Sequence, residues 1–181
     1  MAEPLRWLAL GYSVPINPSK NRVYVWRKLK EYGAEYFKQG VALLPYTRTS
    51  YTKFKYLSGK IRDMGGDASI VEMKFLESAD EQEVIYRFRK QELEELNELK
   101  KDCAEIMAQL TRQTAMALTE LQGDQIKKLI RRYSKARERS HFCGTLAEDV
   151  ENGIYSMLEL LRSGAGDAAA QFFRAMDKAV K

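Results

Sequence analysis

The sequence predicts an α+β protein, in which a β-α-β-β-α-β unit occupies residues 1–78 and helices occupy residues 79–181. Two observations carry this prediction. In the first part, runs of strand-forming residues alternate with runs whose apolar residues recur at helical spacing. From residue 79 to residue 122, the chain contains no proline or glycine and keeps a helical apolar period, which is typical of a long helix.

The first strand is predicted at 5–14, LRWLALGYSV, which is rich in strand formers and is followed by a proline. The turn PINPS then leads into the first helix, with Ser19 as the expected N-cap. One stripe of this helix is expected to pack on the sheet, and it comprises Val25, Trp26, Leu29 and Tyr32. Gly33 is the expected stop, because glycine tolerates the left-handed conformation that ends many helices.

Two short extended runs follow in AEYFKQGVALLP and break at Gln39-Gly40, which predicts a hairpin. A second helix is predicted to begin at Thr49 or Ser50 and to end at Gly65-Gly66. Its apolar face comprises Phe54, Leu57, Ile61 and Met64. A last strand is predicted at 67–76, and one of its faces carries Ser69, Val71, Met73 and Phe75. This order of elements is that of the ferredoxin-like fold, with two helices on one face of an antiparallel sheet.

Residues 79–122 are predicted to form one long helix with a coiled-coil-like apolar seam. The seam comprises Leu96, Leu99, Cys103, Ile106 and Leu110, and it resumes after Thr114 at Ala117 and Leu121. Gly123-Asp124 is expected to break this helix and cap the next one. Returning helices are predicted at 124–140, 145–163 and 167–180, and they complete a helical hairpin or bundle. Thr145 with Glu148 forms the expected capping box of the second of these, and Gly164 its expected stop.

The cysteines and the hydropathy pattern bear on the compartment. The two cysteines, Cys103 and Cys143, lie far apart in the sequence without a CxxC motif, which favours a reduced, cytoplasmic protein. We expect no signal peptide, because the N-terminus lacks an apolar core with a small-residue cleavage site. We expect no membrane span, because no uninterrupted apolar run approaches the required length of about 18 residues.

The net charge of +5 is distributed unevenly along the chain. Residues 1–66 carry twelve Lys and Arg against four Asp and Glu, whereas residues 67–122 carry seven against thirteen. Residues 123–181 carry eleven against eight. The N-terminal third is therefore a basic unit, and such an excess permits an anionic partner without demonstrating one.

Two clusters of cations are the strongest candidates for a nucleic-acid or anion-binding site. The first lies on the first helix and comprises Arg22, Arg27, Lys28 and Lys30. The second lies on the returning helix and comprises Arg131, Arg132, Lys135 and Arg139. Each cluster is equally consistent with the solvated outer face of a core helix, and the excess positive charge of the N-terminal third favours a function for the first.

Catalysis and metal binding have little support. The chain has a single histidine, His141, and it has no nucleophile elbow, P-loop or dinucleotide-binding glycine motif. We therefore expect neither an enzyme nor a cofactor. The carboxylates between Glu92 and Glu98 are expected to form a solvated helix face. His141 and Cys143 form an HxC pair, but a structural metal site requires four ligands, so a packed loop is the favoured interpretation.

The stretch LRWLALGYSVPINPSKNRVYVWRKLKEYGAEYFKQGVALLP resembles the N-terminal domain of the chromate-resistance regulator ChrB. The matching features are the W-L opening strand, the block RVxVWRxLKxxGA, the run QGVxLLP and a helix that ends in GG. A later stretch, IRRYSKARERSHFCG, is similar to that family's LxxRFxxIxxxDFFG segment, with Ser140 to Gly144 in the place of DFFG. The resemblance covers roughly residues 5 to 162.

The resemblance implies a cytosolic bacterial transcription regulator whose N-terminal domain contacts DNA. By resemblance, the residues expected to face DNA are Arg22, Arg27, Lys28 and Lys30. Longer members of the family carry a second, C-terminal domain that is associated with chromate sensing. We do not expect that domain in this chain, so a chromate response does not follow from the resemblance.

The predicted ferredoxin-like unit also resembles, more distantly, the central domain of PaaX-type repressors and the small CRISPR-adaptation nucleases. Those nucleases hold a metal with an aspartate at the end of the first strand, whereas this chain has Gly11-Tyr12-Ser13 there. This difference argues against a nuclease. The repressors place a winged helix before the unit, and we do not expect one here.

Two hypotheses about function follow. The first is a non-enzymatic, ChrB-like regulator that binds DNA or another anionic partner through its basic first helix and forms a homodimer through the sheet or the helical seam. The second is a small-ligand-binding or protein-interaction module that does not bind DNA. The acidic stretch at 67–122 slightly favours the second, because it would repel DNA unless it is turned away.

Overall fold

The structure, a computed structural model, describes residues 5–112, 118–162 and 165–180. The chain divides into two compact units, an N-terminal unit that ends at Phe88 and a C-terminal unit that begins at Arg89. The sequence placed this division at residue 78, where the longest helix begins. Within the described ranges, no helix combines the length and the apolar character that crossing a membrane requires.

The N-terminal unit contains a four-stranded antiparallel sheet in the order β2-β3-β1-β4. Its elements are β1 (Trp7–Ser13), α1 (Ser19–Tyr32), β2 (Glu35–Lys38), β3 (Val41–Pro45), α2 (Arg48–Asp63) and β4 (Asp67–Met73). The predicted order of strands and helices is therefore confirmed. The hairpin of β2 and β3 turns at Gln39-Gly40, as predicted, and its register shifts between Tyr36 and Lys38.

Strand β1 is buried on both of its faces. Trp7 packs its ring at 5.8 Å from that of Phe88, and its Nε1 atom donates a hydrogen bond of 2.7 Å to Glu81. Because side chains alternate along a strand, Leu8 and Leu10 point to the opposite face. The contacts of Trp7 explain why the N-terminal unit extends past β4 into the next helix.

The helices of this unit bury the predicted apolar stripes with two exceptions, Trp26 of α1 and Met64, which is the C-cap of α2 and only partly buried. Phe54, Leu57 and Ile61 of α2 are buried, as predicted. In α1 the buried residues are Val25, Leu29 and Tyr32, whereas Trp26 is 50% exposed. The assignment of Trp26 to the core is therefore wrong. The three buried residues recur at i, i+4 and i+7, and Trp26 lies on the neighbouring side of the helix.

The helix ends were predicted with mixed success. Gly33 ends α1 in the left-handed conformation, with φ of 72°, as predicted. Ser19 is the first residue of α1 rather than its cap, and Pro18 stands at the N-cap without a side-chain hydrogen bond. Helix α2 begins earlier than predicted because the Thr47 side chain accepts a hydrogen bond of 2.9 Å from the Ser50 N–H.

Helix α3 (Ser78–Arg112) begins in the N-terminal unit, and its later part belongs to the C-terminal unit. The C-terminal unit also contains α4 (Glu120–Arg139), α5 (Gly144–Arg162) and α6 (Gly166–Val180). Its core combines the α3 seam with the apolar faces of the other three helices, and the buried seam residues are Leu96, Leu99, Cys103 and Ile106. The predicted seam is thus used inside the unit, where it supports a helical bundle.

The boundary between α3 and α4 was predicted incorrectly. Thr119 and Gln122 form a capping box, so α4 begins at Glu120 and Gly123 lies inside its first turn. Leu121 is 72% exposed and is not part of the seam. The predicted continuation through Thr114 and Ala117, like the predicted stop at Gly164, lies outside the described residues.

The start of α5 also differs from the prediction. The helix begins at Gly144, and the carbonyl oxygen of Cys143 accepts a hydrogen bond of 3.0 Å from the Ala147 N–H. Thr145 therefore lies inside the helix, and its assignment to a capping box with Glu148 is wrong. The cap position moves to Cys143 because the backbone before it is fixed by another side chain, Glu92.

Candidate anion-binding groove

A groove of about 840 Å³ opens in the N-terminal unit, at the end of β1 that contains Ser13. It is formed by the end of β1, one side of α1 and the turn between β2 and β3. Its lining includes Tyr12, Arg22, Val23, Trp26, Tyr36 and Gly40. The groove therefore combines aromatic rings with a guanidinium group.

The floor of the groove is fixed by close backbone contacts between β1 and the hairpin. The Tyr12 N–H donates a hydrogen bond of 2.7 Å to the carbonyl oxygen of Gly40. Gly40 has φ of 73°, and a Cβ atom there would lie 2.8 Å from the Tyr12 carbonyl oxygen. Only glycine meets both conditions without strain, because it tolerates positive φ and has no side chain.

Two tyrosines meet on this floor. The hydroxyl oxygen of Tyr12 lies 3.5 Å from that of Tyr36. Burial is the largest cause that raises the pKa of Tyr12, and the contact with Tyr36 adds to it. The Tyr12 hydroxyl is therefore neutral at physiological pH, so it adds no negative charge that would repel an anion.

Helix α1 presents one continuous side to the groove. Ser19, Arg22, Val23 and Trp26 line the groove at i, i+3, i+4 and i+7, which places them on one side of a helix. Lys30 follows one turn after Trp26, and its Nζ atom lies 5.3 Å from the centroid of the indole ring. A cation at this distance over a ring interacts favourably with it. We call Arg22, Trp26 and Lys30 the groove side of α1.

The four predicted cations of α1 occupy three different environments. Arg22 lines the groove, and Lys30 sits over Trp26. Arg27 is exposed and lies on the side away from the buried stripe. Lys28 donates a hydrogen bond of 2.8 Å to Glu31, and this bond raises the pKa of Lys28. Only Arg22 and Lys30 therefore share the groove side.

The four predicted cations of α4 are divided between ion pairs and solvent. Arg132 pairs with Asp102 and, at 3.3 Å, with Glu98 of α3. Arg139 pairs with Glu95 of α3. The two remaining cations, Arg131 and Lys135, are exposed.

The ion pairs between α4 and α3 follow a regular order along the two helices. As residue numbers rise from Arg132 to Arg139 on α4, the numbers of their α3 partners fall from Asp102 to Glu95. That order is typical of two antiparallel neighbouring helices. A sequence search for an acidic run that faces a basic run in reverse order would have found it.

The sequence interpretation missed Glu92, a buried carboxylate that holds a loop. Its side chain was assigned to a solvated face, but the residue is only 7% exposed, so that assignment is wrong. The carboxylate accepts hydrogen bonds from the backbone N–H groups of His141, Phe142 and Cys143 at 2.9 to 3.0 Å. It also accepts one of 3.1 Å from the Ser140 hydroxyl. Glu92 therefore fixes the loop between α4 and α5.

The loop that contains His141 and Cys143 contacts the core of the C-terminal unit, because the partly buried Cys143 packs against it. Among the described residues, no three side chains of the His, Cys, Asp or Glu types gather as metal ligands. Burial, followed by the nearby Glu92 carboxylate, raises the pKa of the Cys143 thiol. The thiol is therefore predominantly protonated at neutral pH, a state that does not favour metal binding or nucleophilic attack.

Comparison with known proteins identifies the family of the chain. The family described as "Protein ChrB, N-terminal" matches residues 22–177, a range that includes the groove side of α1 and most of the C-terminal unit. No curated protein and no solved structure matches the chain. Because the family match spans most of the chain, the protein belongs to the family of ChrB N-terminal domains.

Proposed function

We propose that this chain is a non-catalytic regulatory protein that binds nucleic acid through the groove side of α1. Family membership suggests a regulatory role in chromate resistance. The observation that carries the binding proposal is the alignment of Arg22, Trp26 and Lys30 along one side of a helix at an open groove. Cations on a rigid support next to an exposed ring are typical of nucleic-acid-binding surfaces.

The charges of α1 are suited to phosphate contacts. Arg22 and Arg27 are exposed and form no ion pair with any residue in the described ranges. Their guanidinium groups therefore need not give up a protein carboxylate before they bind phosphate. Phosphate contacts release condensed counterions, so this mode of binding weakens as the salt concentration rises.

We propose a secondary role for α4. Arg131 and Lys135 are exposed and are suited to contact a long anion directly. Arg132 and Arg139 already pair with carboxylates of α3, so they would have to exchange partners to bind phosphate. We therefore expect Arg131 and Lys135 to contribute more to binding than Arg132 and Arg139.

Two structural proposals accompany this function. We infer a ferredoxin-like topology for the N-terminal unit, which the antiparallel strand order β2-β3-β1-β4 supports.

A homodimer stays a prediction. The seam residues Leu96 and Leu99 are buried inside the C-terminal unit, which favours the sheet over the seam as the dimer surface. Sedimentation velocity measures the oligomeric state.

A second candidate function is the binding of a small anionic ligand without nucleic acid. The volume of the groove, about 840 Å³, falls within the range of about 300–1,000 Å³ that is typical of small-molecule sites. Its mixture of rings, hydroxyls and one guanidinium group suits such a ligand as well. The number of phosphate contacts separates the two candidates, because a small ligand offers few of them.

The test is a fluorescence anisotropy titration of a labelled mixed-sequence DNA duplex over a series of salt concentrations. We expect the affinity to fall steeply as the salt concentration rises. The double variant Arg22→Gln, Lys30→Gln should reduce the slope of log affinity against log salt concentration by about two, because it removes two phosphate contacts. Lys74→Gln is the matched control, because Lys74 is also an exposed lysine. It follows Met73, which pairs with Trp7 at the start of β1, whereas the groove lies at the other end of that strand. Absence of binding at low salt, both of the duplex and of one of its separated strands, would refute the proposal and favour the small-ligand candidate.

A further inference from the structure

The groove exposes two large aromatic side chains, one from α1 and one from β2. Trp26 is 50% exposed and Tyr36 is 38% exposed, although both line the same groove. Trp7, by contrast, is completely buried in the same unit. Exposed rings that converge on one groove indicate a ligand with an apolar face.

The rings are held in place before any ligand arrives. Trp26 is carried by α1, whose neighbouring side is anchored by the buried Leu29. Tyr36 is carried by β2, and the contact between Tyr12 and Gly40 fixes the hairpin on β1. A preformed site loses little conformational entropy when it binds a planar ring.

Positive charge flanks the exposed indole in both directions along the helix. Arg22 lies one turn before Trp26 and lines the same groove, and Lys30 lies one turn after it. A ligand that places a ring on Trp26 would therefore meet cations on both sides of that ring. A nucleotide within a strand has this arrangement, because a phosphate precedes and follows each base.

We propose that the groove binds an unpaired base of a nucleic-acid strand, with the base stacked on Trp26 and the adjacent phosphates bound by Arg22 and Lys30. This inference rests on the proposed function. In an intact duplex both faces of each base are covered by neighbouring bases, so only an unpaired base can stack on a protein ring. Stacking of this kind is tolerant of sequence, because every base offers a flat face.

A strand suits the surface better than a free mononucleotide does. Lys20 and Arg27 are exposed on α1 and do not line the groove. A strand that leaves the groove has further phosphates for these additional cations, whereas a mononucleotide has a single phosphate. The density of positive charge along α1 therefore favours a polymer as the occupant.

Intrinsic tryptophan fluorescence tests this inference with the full chain. Trp26 and the buried Trp7 are the two tryptophans, so a stacked base should quench the Trp26 emission and leave that of Trp7 unchanged. The probes are a short mixed-sequence single-stranded DNA, the duplex of the same sequence, and deoxyadenosine monophosphate. We expect quenching by the single strand, and tighter binding of the single strand than of the duplex.

Two variants of Trp26 complete the test, with affinity measured by anisotropy. Trp26→Ala should weaken single-strand binding by about tenfold to a hundredfold, which corresponds to the loss of one stacked base. Trp26→Phe keeps a ring and should retain most of the affinity. Circular dichroism checks that both variants are folded, as we expect from the exposure of Trp26.

Three results would overturn the inference: unchanged single-strand affinity in Trp26→Ala, a duplex that binds as tightly as the single strand, or a mononucleotide that binds as tightly as the strand. If the duplex binds in a manner that depends on Arg22 but not on Trp26, the proposed function stands and this inference fails. If no nucleic acid binds even at low salt, both fail.

Discussion

The Nζ atom of Lys30 lies 5.3 Å from the centroid of the Trp26 ring, so a cation covers part of the most exposed aromatic surface of α1. This contact places both residues on the groove side and separates them from the buried stripe. The first helix therefore has two distinct sides with different tasks. One side, which includes Leu29, attaches the helix to its unit, and the other offers a ring and cations to a partner.

The two sides of α1 should respond differently to truncation. Leu29→Ala should lower the free energy of unfolding by about 2–5 kcal/mol, because Leu29 is fully buried and its loss leaves a cavity. Trp26→Ala should lower it by less, about 1–2 kcal/mol, because half of the side chain is already in water. Urea unfolding curves measure both values, and a larger loss for Trp26→Ala than for Leu29→Ala would contradict the assignment of sides.

A pair of glycines tests the packing of β1 against the segment that follows α2. A Cβ atom on Gly66 would lie 2.8 Å from Cγ2 of Ile61, and closer still to the carbonyl oxygen of Ser13. Gly66→Ala should therefore lower the free energy of unfolding by about 1–3 kcal/mol.

The matched control is Gly59, which lies inside α2 and where an added Cβ meets no described atom within 4 Å. Gly59→Ala should raise the free energy of unfolding by about 0.5–1 kcal/mol, because alanine favours a helix more than glycine does. Thermal unfolding of both variants distinguishes these opposite effects. Equal midpoints for the two variants would show that the close approach at Gly66 is absent.

The Glu92 carboxylate should contribute strongly to the stability of the loop between α4 and α5. Glu92→Gln keeps the shape of the side chain but removes the charge that strengthens hydrogen bonds from three backbone N–H groups. We expect a loss of about 1–3 kcal/mol of unfolding free energy. Glu94→Gln, a change of the same type at an exposed position of the same helix, should have almost no effect. A loss of equal size in both variants would mean that net charge, and not the loop, is responsible.

The two thiols should differ in reactivity. Cys103 is buried and burial raises its pKa to about 11, whereas Cys143 is partly exposed. A disulfide reagent at neutral pH should therefore label Cys143 first, and Cys143→Ser should remove the fast phase. A fast phase that persists in Cys143→Ser would show that Cys103 is accessible.

The raised pKa of Cys103 also predicts a pH dependence of stability. The thiol ionises near pH 8.5 in the unfolded chain and at about 11 in the folded protein, so its contribution is complete below about pH 8.5. That contribution is lost progressively as the pH rises toward 11, because only the unfolded state releases the proton in that window. Cys103→Ala should make the decline in unfolding free energy over this range shallower.

The sequence predicted most of the fold because local signals and tertiary packing agree there. The stripe of Phe54, Leu57 and Ile61 has a clear helical period, and Gly33 sits where a left-handed residue is needed. The error at Leu121 arose because a glycine at 123 suggested a break. The capping box of Thr119 and Gln122 instead sets the start of α4, and its two reciprocal hydrogen bonds stabilise that start more strongly than one helical glycine destabilises it.

The candidate site was predicted only in part, because exposure depends on contacts between distant segments. The cations Arg22 and Lys30 are recognisable from composition. That Trp26 and Tyr36 line one groove depends on where the hairpin lies relative to α1, which no local pattern encodes. Glu92 looks like its neighbouring carboxylates in the sequence, and it is buried only because the N–H groups of a loop some fifty residues later point at it.

The central claim, that the groove side of α1 binds nucleic acid, is tested most directly by the two tryptophan indole N–H resonances in a ¹⁵N-labelled sample. Trp26 lies in the groove, whereas the Nε1 atom of Trp7 is buried and donates a hydrogen bond to Glu81. Titration with a short single-stranded DNA at low salt should shift the Trp26 resonance together with the backbone amides of Arg22 and Gly40, and leave the Trp7 resonance in place. Shifts that are confined to α4, or an unchanged Trp26 resonance at saturating DNA, would contradict the claim.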